Sequence, residues 1–134
     1  MRRTKRGLAV CLIVVIAGTA LAQEKVPTIK EIMSKLNKPG GAYPTISKEL
    51  KADDTDWAEV QDQAKSFTKL ATLLGKNPPP KGDASSWGTL TKAYADNAQA
   101  LEAAAAKKDK AAANSAREKL GGNSCRTCHK AHKN

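Results

Sequence analysis

Apolar residues recur every three or four positions along almost the whole chain beyond residue 27, and no stretch alternates with period two for long enough to make a strand. That periodicity restricts the chain to helices packed on helices. Ile29, Ile32, Met33 and Leu36 follow i, i+3, i+4, i+7, which predicts an amphipathic helix from Pro27 to Lys38 with the proline in its first turn. Pro39-Gly40-Gly41 ends it. A short helical turn over Thr45–Lys51 would use Ile46 and Leu50, before Asp53-Asp54-Thr55-Asp56 supplies caps for a second long helix. Asp56-x-x-Glu59 resembles a capping box, Trp57, Val60, Ala64, Phe67, Leu70, Ala71 and Leu74 form the apolar stripe, and Gly75 stands at the C-cap.

Asn77-Pro78-Pro79-Pro80-Lys81-Gly82 cannot be helical and predicts a semi-rigid, extended connection. A third helix is expected over Ala84–Lys107, burying Trp87, Leu90, Tyr94, Ala98, Leu101 and Ala105. The fourth starts near Asp109 and carries Ala112, Ala116 and Leu120. It then meets Gly121-Gly122, which either ends it or lets the backbone approach a porphyrin closely, and helix should resume at Ser124. Four amphipathic helices with short connections predict an all-α fold, an antiparallel four-helix bundle.

The interior of such a bundle would be thinly furnished. Only five aromatic residues and many alanines must fill it, so a large apolar cofactor would contribute much of the buried surface. Near the C-terminus the chain supplies a means of holding one. Cys125-Arg126-Thr127-Cys128-His129 is a C-x-x-C-H sequence, the attachment signature of haem c. Two thiols three positions apart lie on neighbouring faces of one helical turn, so each can form a thioether to one vinyl group of the same porphyrin. His129 would then be the proximal iron ligand. Two other readings of these residues fit less well. A dithiol redox pair usually precedes a helix in a βαβ setting, which this chain lacks. A zinc site built from Cys125, Cys128, His129 and His132 would place four ligands within eight consecutive residues, where structural zinc sites join two separated pairs.

The start of the chain addresses the compartment. Met1-Arg2-Arg3-Thr4-Lys5-Arg6 is a positive n-region, Gly7 to Gly18 is apolar, and Ala20-Leu21-Ala22 is an A-x-A cleavage site. Residues 1–22 therefore read as a cleaved secretory signal, which removes Cys11, and residues 23–134 as one periplasmic domain without stable membrane insertion. The full chain carries 23 basic and 13 acidic residues; loss of four basic residues with the signal leaves a moderately basic protein. Its lysines are spread along the sequence, which reads first as a solvated surface and second as steering toward an acidic redox partner. Nucleic acid is not an expected partner outside the cytoplasm.

A signal peptide, a short helical chain and one C-x-x-C-H close to the C-terminus together resemble the class II c-type cytochromes, which include cytochrome c prime and its low-spin, methionine-ligated relatives. The likeness covers residues 23–134 in layout, while only the haem motif is specific. The family usually carries a basic residue four positions after the haem histidine, which Lys133 matches, and often an aromatic one position earlier, where this chain has His132. The resemblance implies a redox protein of the periplasm, and pairing of two copies through a helix face is compatible with it. In the family the first helix crosses the distal side of the haem. Met33, the one methionine beyond the signal, would there be either the sixth iron ligand or a filler of the core. With Met33 bound the protein is a carrier of single electrons; without it, the distal site is open or plugged by an apolar side chain, and the chain resembles the five-coordinate members that bind nitric oxide or carbon monoxide. Tyr43 would hydrogen-bond a haem propionate or simply pack, and His132 reads as a surface or propionate-side residue. No grouping of charged residues suggests hydrolysis or group transfer, so the expectation is a carrier and not an enzyme.

Overall fold

The computed structural model describes residues 25–134. Their regular elements are all helical: α1 (Ile29–Asn37), α2 (Ala42–Glu49), α3 (Trp57–Leu74), α4 (Ala84–Ala106), α5 (Lys110–Lys119) and α6 (Cys125–His132), with a π-helical segment, Leu120–Ser124, joining the last two. The fold is all-α, with no strand among the described residues. The signal-peptide reading of residues 1–22 lies outside the described residues. Among those described, no helix is long and apolar enough to cross a membrane.

Side-chain caps fix where the helices begin. Thr28 Oγ1 accepts from the Glu31 N–H at 3.2 Å, and Glu31 Oε2 accepts from the Thr28 N–H at 2.7 Å, a reciprocal capping box. This leaves Pro27 outside α1 and not in its first turn as expected. At α3 only half of the anticipated box forms. Asp56 Oδ1 accepts from the N–H groups of Ala58 and Glu59, while the Glu59 carboxylate turns to Gln63 at 2.9 Å. Asp83 and Asp109 cap α4 and α5 in the same way as Asp56. Helix α2 begins at Ala42, three residues before the expected Thr45, because Pro44 is compatible with a first helical turn that Gly41 opens.

Helix α3 packs against α2 and α4, and α4 packs in turn against α5 and the π-helical segment, while α1 lies across α2 and α3. The buried stripe of α3 is the predicted one, except that Trp57 is only half-buried. In α4, Leu90 is only half-buried where burial was expected, Thr91 and Ala104 join the other expected residues, and the buried Thr91 hydroxyl is satisfied by the Trp87 carbonyl at 2.8 Å. Ala116 of α5 and Leu120 just after it are buried as expected, while in the first turn of α5 Ala113 is buried and Ala112 exposed. Three successive alanines carry no amphipathic signal to choose between them. Phe67 and Tyr94 meet at 5.6 Å between ring centroids in the middle of the core. Each large apolar side chain fully buried here contributes about 1.5–3 kcal/mol.

Long-range hydrogen bonds clasp the two ends of the molecule. At one end Gln61 Nε2 donates to the Ala105 carbonyl at 3.0 Å and Lys110 Nζ to the Ala52 carbonyl at 2.5 Å. At the other, the proline-rich connection is held on three sides. Asn77 Nδ2 donates to the Pro27 carbonyl at 3.1 Å, Trp87 Nε1 donates to the Asn77 carbonyl at 2.7 Å, and His132 Nδ1 donates to the Lys81 carbonyl at 2.7 Å. The 18 residues of α3 separate these ends by about 27 Å at 1.5 Å per residue.

Candidate functional site

At the proline-clasped end the helices leave an apolar cavity of about 280 Å³, lined by Met33 and Asn37 of α1, Leu74 of α3, Leu90, Thr91 and Tyr94 of α4, and Ser124, Cys125, Cys128 and His129 at the start of α6. A wider cleft of about 630 Å³ shares Met33, Cys128 and His129 with it and adds Ile29, Pro80, Trp87 and Lys133 among its walls. Of the residues singled out from sequence, Cys125, Cys128, His129 and Met33 therefore come together at one cavity. Lys133 borders the adjoining cleft.

The motif reaches this position because α5 does not stop at the glycines. Backbone angles at Lys119, Ser124 and Cys125 are all right-handed helical, so α5, the π-helical segment and α6 form one continuous helix. The expected break at Gly121-Gly122 does not occur. What Gly121 does admit is Tyr43. A Cβ built on Gly121 would lie 2.5 Å from Tyr43 Cζ, so only a hydrogen at that position leaves room for the ring. Tyr43 Oη donates a long bond of 3.4 Å to the Arg117 carbonyl. Tyr43 thus packs against the helix and is not among the residues that line the cavity.

His132 also departs from expectation. It is buried, with 2 % of its surface exposed, and not a surface residue. A carbonyl can only accept, so Nδ1 carries the proton toward Lys81, and in the neutral ring Nε2 accepts from the Ser86 hydroxyl at 3.2 Å. Its ring stands edge-on to Trp87 at 5.3 Å. Gly82, at φ +80°, makes the latch fit: a Cβ there would meet the Ala131 carbonyl oxygen at 2.9 Å and His132 Nδ1 at 3.0 Å. His132 therefore fills the place where the resembled family often has an aromatic residue, and ties α6 to the proline-rich connection.

Both thiols are free and half-buried, and Cys125 Sγ donates to the Leu120 carbonyl at 3.1 Å. Burial pushes both thiols above the ordinary cysteine range, the opposite of what an activated redox dithiol requires. Burial likewise raises the Tyr94 phenol, which keeps its hydroxyl protonated at the cavity wall. On α1, Asn37 Nδ2 donates to the Met33 carbonyl at 3.3 Å and lies 3.7 Å from Met33 Sδ. Among the described residues, no group of three or more His, Cys, Asp or Glu side chains is placed to hold a metal ion by itself. Leu74, Leu90 and Tyr94 were expected only as core, and Asn37, Thr91 and Ser124 were not singled out at all. Asn37 carried the one available signal, standing one helical turn after Met33. No family model, curated protein or solved structure matches the chain.

Proposed function

We propose that this chain is a periplasmic monohaem cytochrome of class II type that carries single electrons between redox partner proteins, its helices arranged as an antiparallel four-helix bundle around the haem. The observation that carries this reading is the convergence of both thiols and the imidazole of C-x-x-C-H on the wall of an apolar cavity that Met33 also lines from a separate helix. The donor set fits haem c: Cys125 and Cys128 would each add across one vinyl group, His129 would ligate the iron, and Met33 would be its sixth ligand. Bound there, the haem would supply one-electron chemistry between ferrous and ferric iron, and a Met33 thioether would raise its potential. Leu74, Leu90 and Tyr94 give the cavity an apolar wall. The His132–Lys81 clasp fixes α6 and with it the direction of His129.

Absorption spectra of the oxidised and reduced holoprotein, in parent and Met33→Ala forms, test the reading. A low-spin parent with the weak sulfur-to-iron band in the near infrared, lost in the variant, is the expected result. A parent that is already high-spin would make it an open-site protein that binds nitric oxide or carbon monoxide. Failure to find a Soret band after expression with the haem-attachment machinery would refute the haem altogether.

A further inference from the structure

The fold sorts charge that the sequence leaves scattered. Segments 25–38, 76–83 and 125–133, which meet at the cavity end, hold nine Lys or Arg and only two acids. Both acids are turned onto helix caps, Glu31 on Thr28 and Asp83 on Ser86. Segments 49–62 and 102–110, clasped together at the opposite end, hold eight acids and four lysines. About 27 Å of helix separates the two groups, so the molecule is an electric dipole whose positive end is the one bearing Cys125, Cys128 and His129. Lys30 and Lys133 stand on the rim of the wider cleft itself.

We propose that this cavity end is the docking surface for an acidic protein, which the dipole meets with its positive pole forward. The electron-carrier reading supplies what that partner does, an exchange of one electron, but not where it binds. A long-range field of this kind raises encounter rates and selects orientation, because an acidic surface is repelled by the far end. A protein fits better than a lipid bilayer. Val26, at 37 % exposed, is the only exposed large apolar side chain among the described residues; it lies at this end, but one side chain is not the apolar face that an interfacial helix inserts into lipid.

Two charge-reversal pairs on the holoprotein test the proposal, with labelled poly-L-glutamate as the probe and binding read by fluorescence anisotropy at low ionic strength. Lys30→Glu with Lys133→Glu alters the cavity end, and Lys51→Glu with Lys107→Glu changes net charge equally at the far end, all four side chains being exposed. The first pair should weaken binding at least about tenfold and the second less than about twofold. Equal losses would overturn the proposal, since binding would then follow bulk charge. Tighter binding of the parent to phosphatidylglycerol vesicles than to the polypeptide, at matched charge concentration, would overturn the choice of a protein partner. The Soret band of each preparation separates the two readings. A chain without haem that still binds in the position-dependent way refutes the electron carrier alone and leaves the docking surface standing.

Discussion

Gly121→Ala puts a methyl group where the ring of Tyr43 already lies. The added carbon would be 2.5 Å from Tyr43 Cζ, whereas unstrained carbon contacts fall near 3.5–4.0 Å. The Tyr43 ring must move by about 1 Å or more to restore that separation, and it packs against the buried core, so its neighbours must yield with it. Overpacking of this kind costs about 1–3 kcal/mol. Two smaller terms oppose or add to it. Replacing glycine by alanine inside a helix returns up to about 1 kcal/mol, and the Tyr43 bond to Arg117, at 3.4 Å, is too long to be worth much. The net expectation is a loss of about 1–2 kcal/mol. Urea denaturation of the holoprotein followed by circular dichroism measures it. The decisive comparison adds Tyr43→Ala, because all three atoms nearest the added methyl belong to the Tyr43 ring and the clash goes when the ring is removed. Gly121→Ala should then be neutral or stabilising in the Tyr43→Ala background, a coupling of about 2 kcal/mol between the two positions. Additive effects, or a Gly121→Ala protein as stable as its parent, would refute the reasoning.

His132→Ala removes two hydrogen bonds of a buried ring and its edge contact with Trp87, and should cost about 2–4 kcal/mol in a thermal or urea melt; a loss under about 0.5 kcal/mol would mean that the latch contributes nothing. The hydrogen bonds from Thr28 hold the Glu31 carboxyl below the usual glutamate range. Its contribution is therefore present above the unfolded-state value and is lost as pH falls through the lower folded-state value. The stability difference between parent and Glu31→Gln should shrink between pH 5 and about pH 3, and a pH-independent difference would contradict the capping box. Haem-free protein should melt less cooperatively than the holoprotein in calorimetry, because alanines and five aromatic residues leave the interior short of large side chains; an equally sharp transition would show that the chain packs without the cofactor.

What the sequence revealed and what it concealed divide along a physical line. The stripe of α3 could be read directly because Phe67, Leu70 and Leu74 are large, apolar and spaced to one face. The extended connection at Pro78–Pro80 was equally plain, since proline denies the backbone a donor. The buried residue in the first turn of α5 was not, because alanine is nearly neutral between core and surface. The four residues that meet at the cavity could be named beforehand from C-x-x-C-H and the single methionine of the domain. Their setting could not be, since it depends on contacts between residues far apart in the chain: His132 with Lys81, Tyr43 with Gly121, Asn77 with Pro27. Gly82 looked like an ordinary breaker, and the partner that Gly121 admits could not be named. The reason for both glycines lies in what presses against them.

The π-helical segment Leu120–Ser124 has a consequence for aim. A turn bonded from i to i+5 accommodates one residue more than an α-helical turn, and one residue of α-helix corresponds to about 100° of rotation. Helix α6 therefore continues the axis of α5 while its faces are turned by roughly a quarter-circle. Wound as plain α-helix from Lys110 onward, the same residues would direct Cys125 and Cys128 away from the wall they now form with Leu90 and Tyr94. The bearing of the thiols is thus written into backbone winding, one turn ahead of the motif, and a motif of identical letters on an unadjusted helix would point elsewhere.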